Sequence, residues 1–152
     1  MTLLKIVSGG QTGVDRAALD VGLALGLETG GWCPKGRLAE DGRIPDHYPL
    51  LETPESDYET RTRRNVEDSD GTLILNRGAL DGGTALTLEC ARAAGKPCLV
   101  VALEVGIDPA SFQAWLEENA IRVLNVAGPR ESKRPGVHAE AVRCLTILRG
   151  GK

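Results

Sequence analysis

The sequence predicts an α/β fold, a three-layer α/β/α sandwich built on a mainly parallel sheet, and three observations carry that reading. Short apolar runs at Leu3–Val7, Gly71–Asn76, Pro97–Leu103 and Ile121–Val126 have the length and content of strands buried on both faces. Segments with helical spacing separate them, so strands and helices alternate. Glycines are abundant, 19 in the chain, and aromatic residues are few, as a fold with many tight turns requires.

The elements follow in order. Leu3 to Val7 is the first strand, broken by Ser8, Gly9, Gly10 and Gly13. From Val14, apolar residues recur at Ala17, Ala18, Val21 and Leu25, a helix face, and Gly26 is its C′ stop. Glu28 to Cys33 is the second strand, weakened by Gly30 and Gly31. Pro34 to Pro45 is too rich in Pro, Gly and charge for an element and forms a long loop at a strand's carboxyl end. Leu50-Leu51 adds a short edge strand. Tyr58 to Asp68 is a helix, with Arg61, Arg64, Asn65 and Asp68 three or four residues apart. Gly71 to Asn76 is the third principal strand, and Gly82-Gly83-Thr84 opens a helix that Gly95 ends. Pro97 to Leu103 is the fourth strand and has the strongest strand character. Asp108-Pro109 is an N-cap with proline at the first helical position, opening a helix to about Asn119 that buries Phe112, Trp115 and Leu116. Ile121 to Val126 is the fifth strand, and Val137 to about Leu148 is the last helix.

The length of 152 residues fits one domain, taken as residues 1–152. A net charge of −3 with scattered basic residues gives no broad face for nucleic acid. No apolar run reaches membrane-spanning length and the first residues lack a signal peptide's pattern, so the chain is expected to be soluble and cytoplasmic. The four cysteines, Cys33, Cys90, Cys98 and Cys144, are widely spaced and read as free thiols. With only His47 and His138 beside them, no structural metal site is expected.

The expected principal strand order is 2-1-3-4-5. It places the switch point between the first and third principal strands, where such sheets bind ligands outside the strand carboxyl ends. The turns Gly9–Gly13 and Gly82–Thr84 then face each other across that crevice. Each joins a glycine turn to a helix start, whose free N–H groups and dipole suit a phosphate. Neither is a G-x-G-x-x-G fingerprint or a Walker loop. A tight turn that binds nothing is the competing reading of the first.

Several separated blocks then resemble one family. Ser8-Gly9-Gly10-Gln11-Thr12-Gly13-Val14-Asp15-Arg16-Ala17-Ala18-Leu19-Asp20 is similar to the opening of the molybdenum cofactor carrier family, and so is the run from Gly30 to Gly42. Arg61-Thr62-x-x-Asn65-Val66-x-Asp68-Ser69-Asp70-Gly71-Thr72, Gly82-Gly83-Thr84 and the run from Leu124 to Ser132 match too. The resemblance covers nearly the whole chain. It implies a Rossmann-like fold related to the phosphoribohydrolase and lysine-decarboxylase-like group. It further implies a cytoplasmic homo-oligomer, a tetramer by preference, that binds and protects the molybdenum cofactor (molybdopterin) as cargo without catalysis.

That cofactor is a pterin with a phosphate tail and a metal-holding dithiolene. A carrier must grip the phosphate, cover the pterin and leave the metal end releasable. Gly9, Gly10, Gln11, Thr12 and Gly13 supply donors for the phosphate, and Gly82, Gly83 and Thr84 supply others from the far side. Lys35, Arg37, Arg61 and Arg130 are candidates for charge-assisted contacts. Surface pairing is the alternative for Arg61, and solvation for Lys35 and Arg37. Trp32 or Tyr58 can stack on the pterin, with core packing the competing role for Trp32. Cys33 reads as a buried thiol, and Asp15 as a helix cap in preference to a contact with a ribose-like hydroxyl. His47 and His138 are assigned no role.

Two other classes compete. A phosphoribohydrolase carries G-G-x-G-T-x-x-E, whereas Gly82-Gly83-Thr84-Ala85-Leu86-Thr87-Leu88-Glu89 keeps the first two glycines and the acid but has Ala85 and Leu86 in place of the Gly-Thr pair. A sensor of a nucleotide such as ADP-ribose would use the same crevice without turnover.

Overall fold

Five parallel strands form the central sheet of the computed structural model, which describes residues 3–150. Met1, Thr2, Gly151 and Lys152 of the expected domain lie outside the described residues. The elements are β1 (Lys5–Val7), α1 (Val14–Ala24), β2 (Glu28–Gly30), β3 (Trp32–Cys33), β4 (Leu38–Ala39), β5 (Gly42–Arg43), β6 (Leu51–Glu52), α2 (Tyr58–Glu67), β7 (Gly71–Asn76), α3 (Gly82–Ala94), β8 (Cys98–Ala102), α4 (Pro109–Glu118), β9 (Val123–Ala127) and α5 (Val137–Leu145), closed by a 3₁₀ turn at Thr146–Gly150. The α/β class and the parallel sheet are as the alternation predicts.

The strand order is not 2-1-3-4-5. The sheet runs β2-β1-β9-β7-β8, so the fifth principal strand lies between the first and the third. The register is Ile6 beside Leu124 and Leu73 beside Val126. Burial explains the exchange. Leu124, Asn125 and Val126 in β9 are all buried, which only a strand covered on both faces can achieve. In β8, the most β-prone run, Val100 is 42 % exposed, so that strand takes the edge.

Alternation within the strands divides the core. Ile6, Leu73, Leu75, Leu124 and Val126 point to one face, where α1, α4 and α5 cover them with Val14, Ala17, Phe112, Leu116, Val137 and Ala141. The other face meets α2 and α3 and is more polar. There Asn125 Nδ2 donates to Thr72 Oγ1 at 3.3 Å.

Two local readings are refined. The expected strand Glu28–Cys33 breaks at Gly31 (φ 129°), where a Cβ would stand 2.2 Å from the Ser8 carbonyl oxygen. Trp32–Cys33 therefore leaves the main sheet and pairs in parallel with Leu51–Glu52. The long loop after it holds the small antiparallel pair β4–β5. Among the described residues no helix is long and apolar enough to cross a membrane.

Candidate functional site

The carboxyl ends of β1, β9 and β7 open into a crevice of about 340 Å³. Its walls are the start of α1 (Gln11, Asp15), the first turn of α2 (Tyr58, Arg61, Thr62), the start of α3 (Asp81 to Thr87) and the loop after β9 (Ala127 to Lys133). The two glycine turns thus lie on opposite walls. They differ in what they present to the crevice.

The first turn spends part of its donors, and the amides it leaves without a protein acceptor among the described residues, those of Gly9, Gly10 and Gly13, belong to residues that do not line the crevice. Gln11 N donates to Asp15 Oδ2 at 3.3 Å, Thr12 N to Gln11 Oε1 at 3.1 Å, and Val14 N to the Pro129 carbonyl at 3.2 Å. Of Gly9, Gly10, Gln11, Thr12 and Gly13, only Gln11 lines the crevice. The glycines answer to close packing. A Cβ on Gly10 would stand 2.5 Å from Leu50 Cδ1, and one on Gly13 2.3 Å from the Pro129 carbonyl oxygen. Both also have positive φ, 79° and 82°. A Cβ on Gly9 would fall 1.7 Å from Arg61 Nη1, so the absent side chain makes room for that guanidinium.

The second turn keeps its donors. Ala85 N is the first α3 amide with a backbone acceptor, the Asp81 carbonyl at 3.1 Å. Among the described residues no protein acceptor meets the amides of Gly82, Gly83 or Thr84. Thr84 lines the crevice at 7 % exposure, and its hydroxyl has no partner among the described residues. Gly82 takes φ 54°, a left-handed start that turns successive amides to one side.

Three cations reach the crevice, and each is tied to one carboxylate. Arg61 Nη1 donates to Asp15 Oδ2 at 3.0 Å. Arg130 Nε lies 3.2 Å from Glu40 Oε1, and Lys133 Nζ lies 2.6 Å from Asp81 Oδ1. Asp15 is the buried member, at 4 % exposure. Burial pushes its carboxyl above the ordinary value, with Arg61 pulling the other way. The expected cap role therefore gives way to a different one. Asp15 sits inside the first turn of α1 and joins that turn to Arg61 on α2. Arg61 keeps spare capacity, because its buried Nε has no partner. Such an orphan costs about 1–3 kcal/mol unless something else meets it.

Lys35 and Arg37 are not in the crevice. Lys35 is exposed. Arg37 is buried, and its guanidinium donates to the carbonyls of Ile44, Pro45, Tyr48 and Leu50 at 2.7–3.4 Å, so it holds the 44–50 loop together. Tyr58 stands at the crevice wall with the Arg61 guanidinium 5.5 Å from its ring centroid. Trp32 lies elsewhere, under Arg64 and bonded through Nε1 to Asp68. Cys33 is a fully buried thiol, raised by burial, and the other three cysteines are free. Glu89, the acid of the hydrolase-like run, is exposed and off the crevice. Among the described residues no cluster of three or more His, Cys, Asp or Glu side chains could hold a metal ion.

Sequence reasoning missed Lys133 and Asp81 and undervalued Asp15. The signal for Lys133 was present: it stands in a charged loop at the carboxyl end of the fifth principal strand, as Lys35 does for the second.

A strap closes the outer side of this wall. Glu40, in the turn of the β4–β5 pair, accepts from Thr12 Oγ1, Ser132 Oγ and Ser132 N, and Asp41 takes both Arg16 Nη atoms at 2.5 and 2.8 Å. Burial pushes Glu40 up, but the bonds from Ser132 and Thr12 outweigh it and leave its carboxyl below the ordinary value. The bond from Arg16 does the same for Asp41.

A family model described as the circularly permutated YpsA SLOG family matches residues 6–148. Among solved structures, a "Putative molybdenum carrier protein" from Syntrophus aciditrophicus SB shares 47 % sequence identity. That match covers 97 % of this chain and 95 % of that one, with a TM-score of 0.91. No curated protein matched the chain.

Proposed function

This chain belongs to the circularly permutated YpsA SLOG family, and from that premise we propose that it is a small-molecule carrier whose crevice grips the phosphate tail of the molybdenum cofactor. The observation that carries the reading is the open start of α3. Three amides without acceptors, the Thr84 hydroxyl and the Lys133 and Arg61 cations belong to residues that line one crevice, and that donor set suits a tetrahedral oxyanion. The likeness to a protein described as a molybdenum carrier supports the choice of cargo. Tyr58 at the α2 wall then offers a face for the pterin. In this reading the phosphate grip belongs to Gly82, Gly83 and Thr84. The Gly9–Gly13 turn contributes by seating Arg61. Homo-oligomerisation remains part of the proposal and would order the same surface in several copies.

The test uses protein made in a bacterial host that synthesises the cofactor, assayed for molybdenum by mass spectrometry and for oxidised pterin by fluorescence. The matched variant is Gly83→Asp. A Cβ at Gly83 meets nothing within 4 Å, so the fold accepts it, while the new carboxylate sits where the phosphate would. Gly10→Asp would be a poor control, because it strikes Leu50 and Ile44. Near-stoichiometric molybdenum and pterin in the parent, lost in Gly83→Asp at unchanged melting temperature, is the expected result. Absence of both from the parent would refute the carrier reading.

A further inference from the structure

Three helices of this chain begin after an aspartate, and only two of those aspartates cap. Asp57 accepts from Thr60 N, and Asp108 from Ser111 N, each at 2.9 Å. Asp81 holds the same position before α3 with an extended backbone (φ −146°, ψ 177°), yet its carboxylate makes no capping bond. It is held instead by Lys133 Nζ at 2.6 Å, with Arg134 Nη2 at 3.9 Å from its other oxygen. The amide that it would cap by analogy is Thr84 N, three residues on.

Lys133 itself lies over the helix start. A Cβ at Gly82 would stand 2.8 Å from its Nζ. The positive end of a helix dipole favours an anion, and the Asp81 carboxylate beside Lys133 supplies one without bonding the α3 amides, which stay open to a further anion. Thr84 points to such an anion independently, since its hydroxyl lines the crevice from a residue 93 % buried with no partner among the described residues.

We propose that Lys133 is a positioning residue: it draws the Asp81 carboxylate off the α3 start and so keeps those amides open for a tetrahedral oxyanion. This rests on the crevice being an oxyanion site, the reading given above. Asp81 is the chain's own competitor for the site, and Lys133 restrains it. When the oxyanion binds, Lys133 lies within reach of both. Arg134 cannot substitute, because its guanidinium is committed to the carbonyls of Arg77, Ala79 and Lys133.

The experiment has two arms on the full chain. The first is calorimetric titration with inorganic phosphate of the parent, Lys133→Met, Lys133→Arg, Asp81→Ala and the double variant Lys133→Met/Asp81→Ala. The second is hydrogen exchange at the Thr84 amide without any ligand. Lys133→Met is expected to weaken phosphate binding about tenfold and to slow exchange at Thr84, as Asp81 swings in to cap. With Asp81→Ala already in place, Lys133→Met is expected to cost clearly less affinity than it does in the parent, only the share of the direct contact, and to leave the exchange at the parental rate, and Lys133→Arg to match the parent. Equal weakening by Lys133→Met with or without Asp81 would overturn the proposal, since it would make Lys133 a direct contact only. Unchanged Thr84 exchange in Lys133→Met would overturn it as well. If the parent takes no phosphate, the oxyanion reading of the crevice fails, and the exchange arm still decides the role of Lys133.

Discussion

Gly9→Ala adds a single methyl group, yet it should remove Arg61 from the crevice wall. The new Cβ would lie 1.7 Å from Nη1, 2.6 Å from Cζ and 3.0 Å from Cδ of Arg61. No adjustment of the methyl can relieve all three, so the arginine swings out and its 3.0 Å bond to Asp15 breaks. Asp15 then keeps only the Gln11 amide for a carboxylate 4 % exposed. Breaking a buried ion pair from one side costs about 3–5 kcal/mol. The lower end, about 3 kcal/mol, applies because the displaced guanidinium keeps its charge and moves toward solvent. For a chain of this size that is a fall in melting temperature of roughly 6–12 °C.

A pH dependence accompanies this loss. Burial already holds the Asp15 carboxyl above its ordinary value, against the pull of Arg61. Losing Arg61 raises it further. A carboxyl with a raised folded-state pKa holds its proton more tightly in the folded chain, so stability falls as pH rises above the unfolded value of about 3.9. The deficit of Gly9→Ala should therefore shrink at about pH 3 to the steric cost of the methyl group and grow toward neutrality, by about 1.4 kcal/mol for every tenfold tightening of the Asp15 proton that the loss of Arg61 brings. Urea denaturation of the parent, Gly9→Ala, Asp15→Asn and the double variant reads this directly. In the Asp15→Asn background the methyl group should cost about 1 kcal/mol or less, a coupling of about 2 kcal/mol. A Gly9→Ala cost under about 0.5 kcal/mol at pH 7, the range of ordinary surface changes, would refute the account. So would a cost that Asp15→Asn leaves untouched.

Two further predictions concern the surroundings of the crevice. Arg37→Met should destabilise the chain by on the order of 3 kcal/mol, because four backbone carbonyls of the 44–50 loop lose their donor. Its phosphate affinity by calorimetry should stay that of the parent, since Arg37 is not in the crevice. The strap should fail in acid: Glu40 and Asp41 have lowered folded-state values, so their contribution is present above about pH 4 and is lost as pH falls through those values. Hydrogen exchange at the Glu40 and Ser132 amides, bonded to Gln11 Oε1 and Glu40 Oε2, should therefore rise below that pH while the β7 amides stay protected.

The elements were largely legible in the sequence, because each rests on local rules. Periodicity gave α1 through α5, and Asp108-Pro109 marked the start of α4 to the residue. The strand order was not legible, because order depends on which strand can be buried on both sides. Pro97–Leu103 has the stronger β character, but β9 lies between β1 and β7 with Leu124, Asn125 and Val126 all buried, and the apolar run at β8 is left at an edge with Val100 exposed. The two glycine turns look alike as sequence, and their difference is tertiary. Gly9–Gly13 is filled by the β9 loop and Arg61, so its glycines serve close approach. Gly83 has open space before it. Arg37 and Arg61 likewise read as equivalent loop and helix cations. One has its donors committed to four carbonyls, and the other keeps a buried Nε without a partner.

Pairing each crevice cation with a carboxylate has a consequence for a carrier. The three pairs differ in how readily an incoming oxyanion can take the cation. Asp15 is buried and anchored on α1, so Arg61 stays where it is and ligand must come to it. Glu40 is held by Thr12 and Ser132, but Arg130 is half exposed and can turn from it, and Asp81 is half exposed and can give way to ligand. Exposed pairs contribute about 0–1 kcal/mol, and exchanging one for a contact with ligand costs correspondingly little. A site with three unopposed cations would hold a phosphorylated cargo more tightly, and release would be slower in proportion. In the proposed reading, the fixed pair sets where the oxyanion sits. The two displaceable pairs return to their cations when it leaves, so the grip is firm in position and moderate in strength.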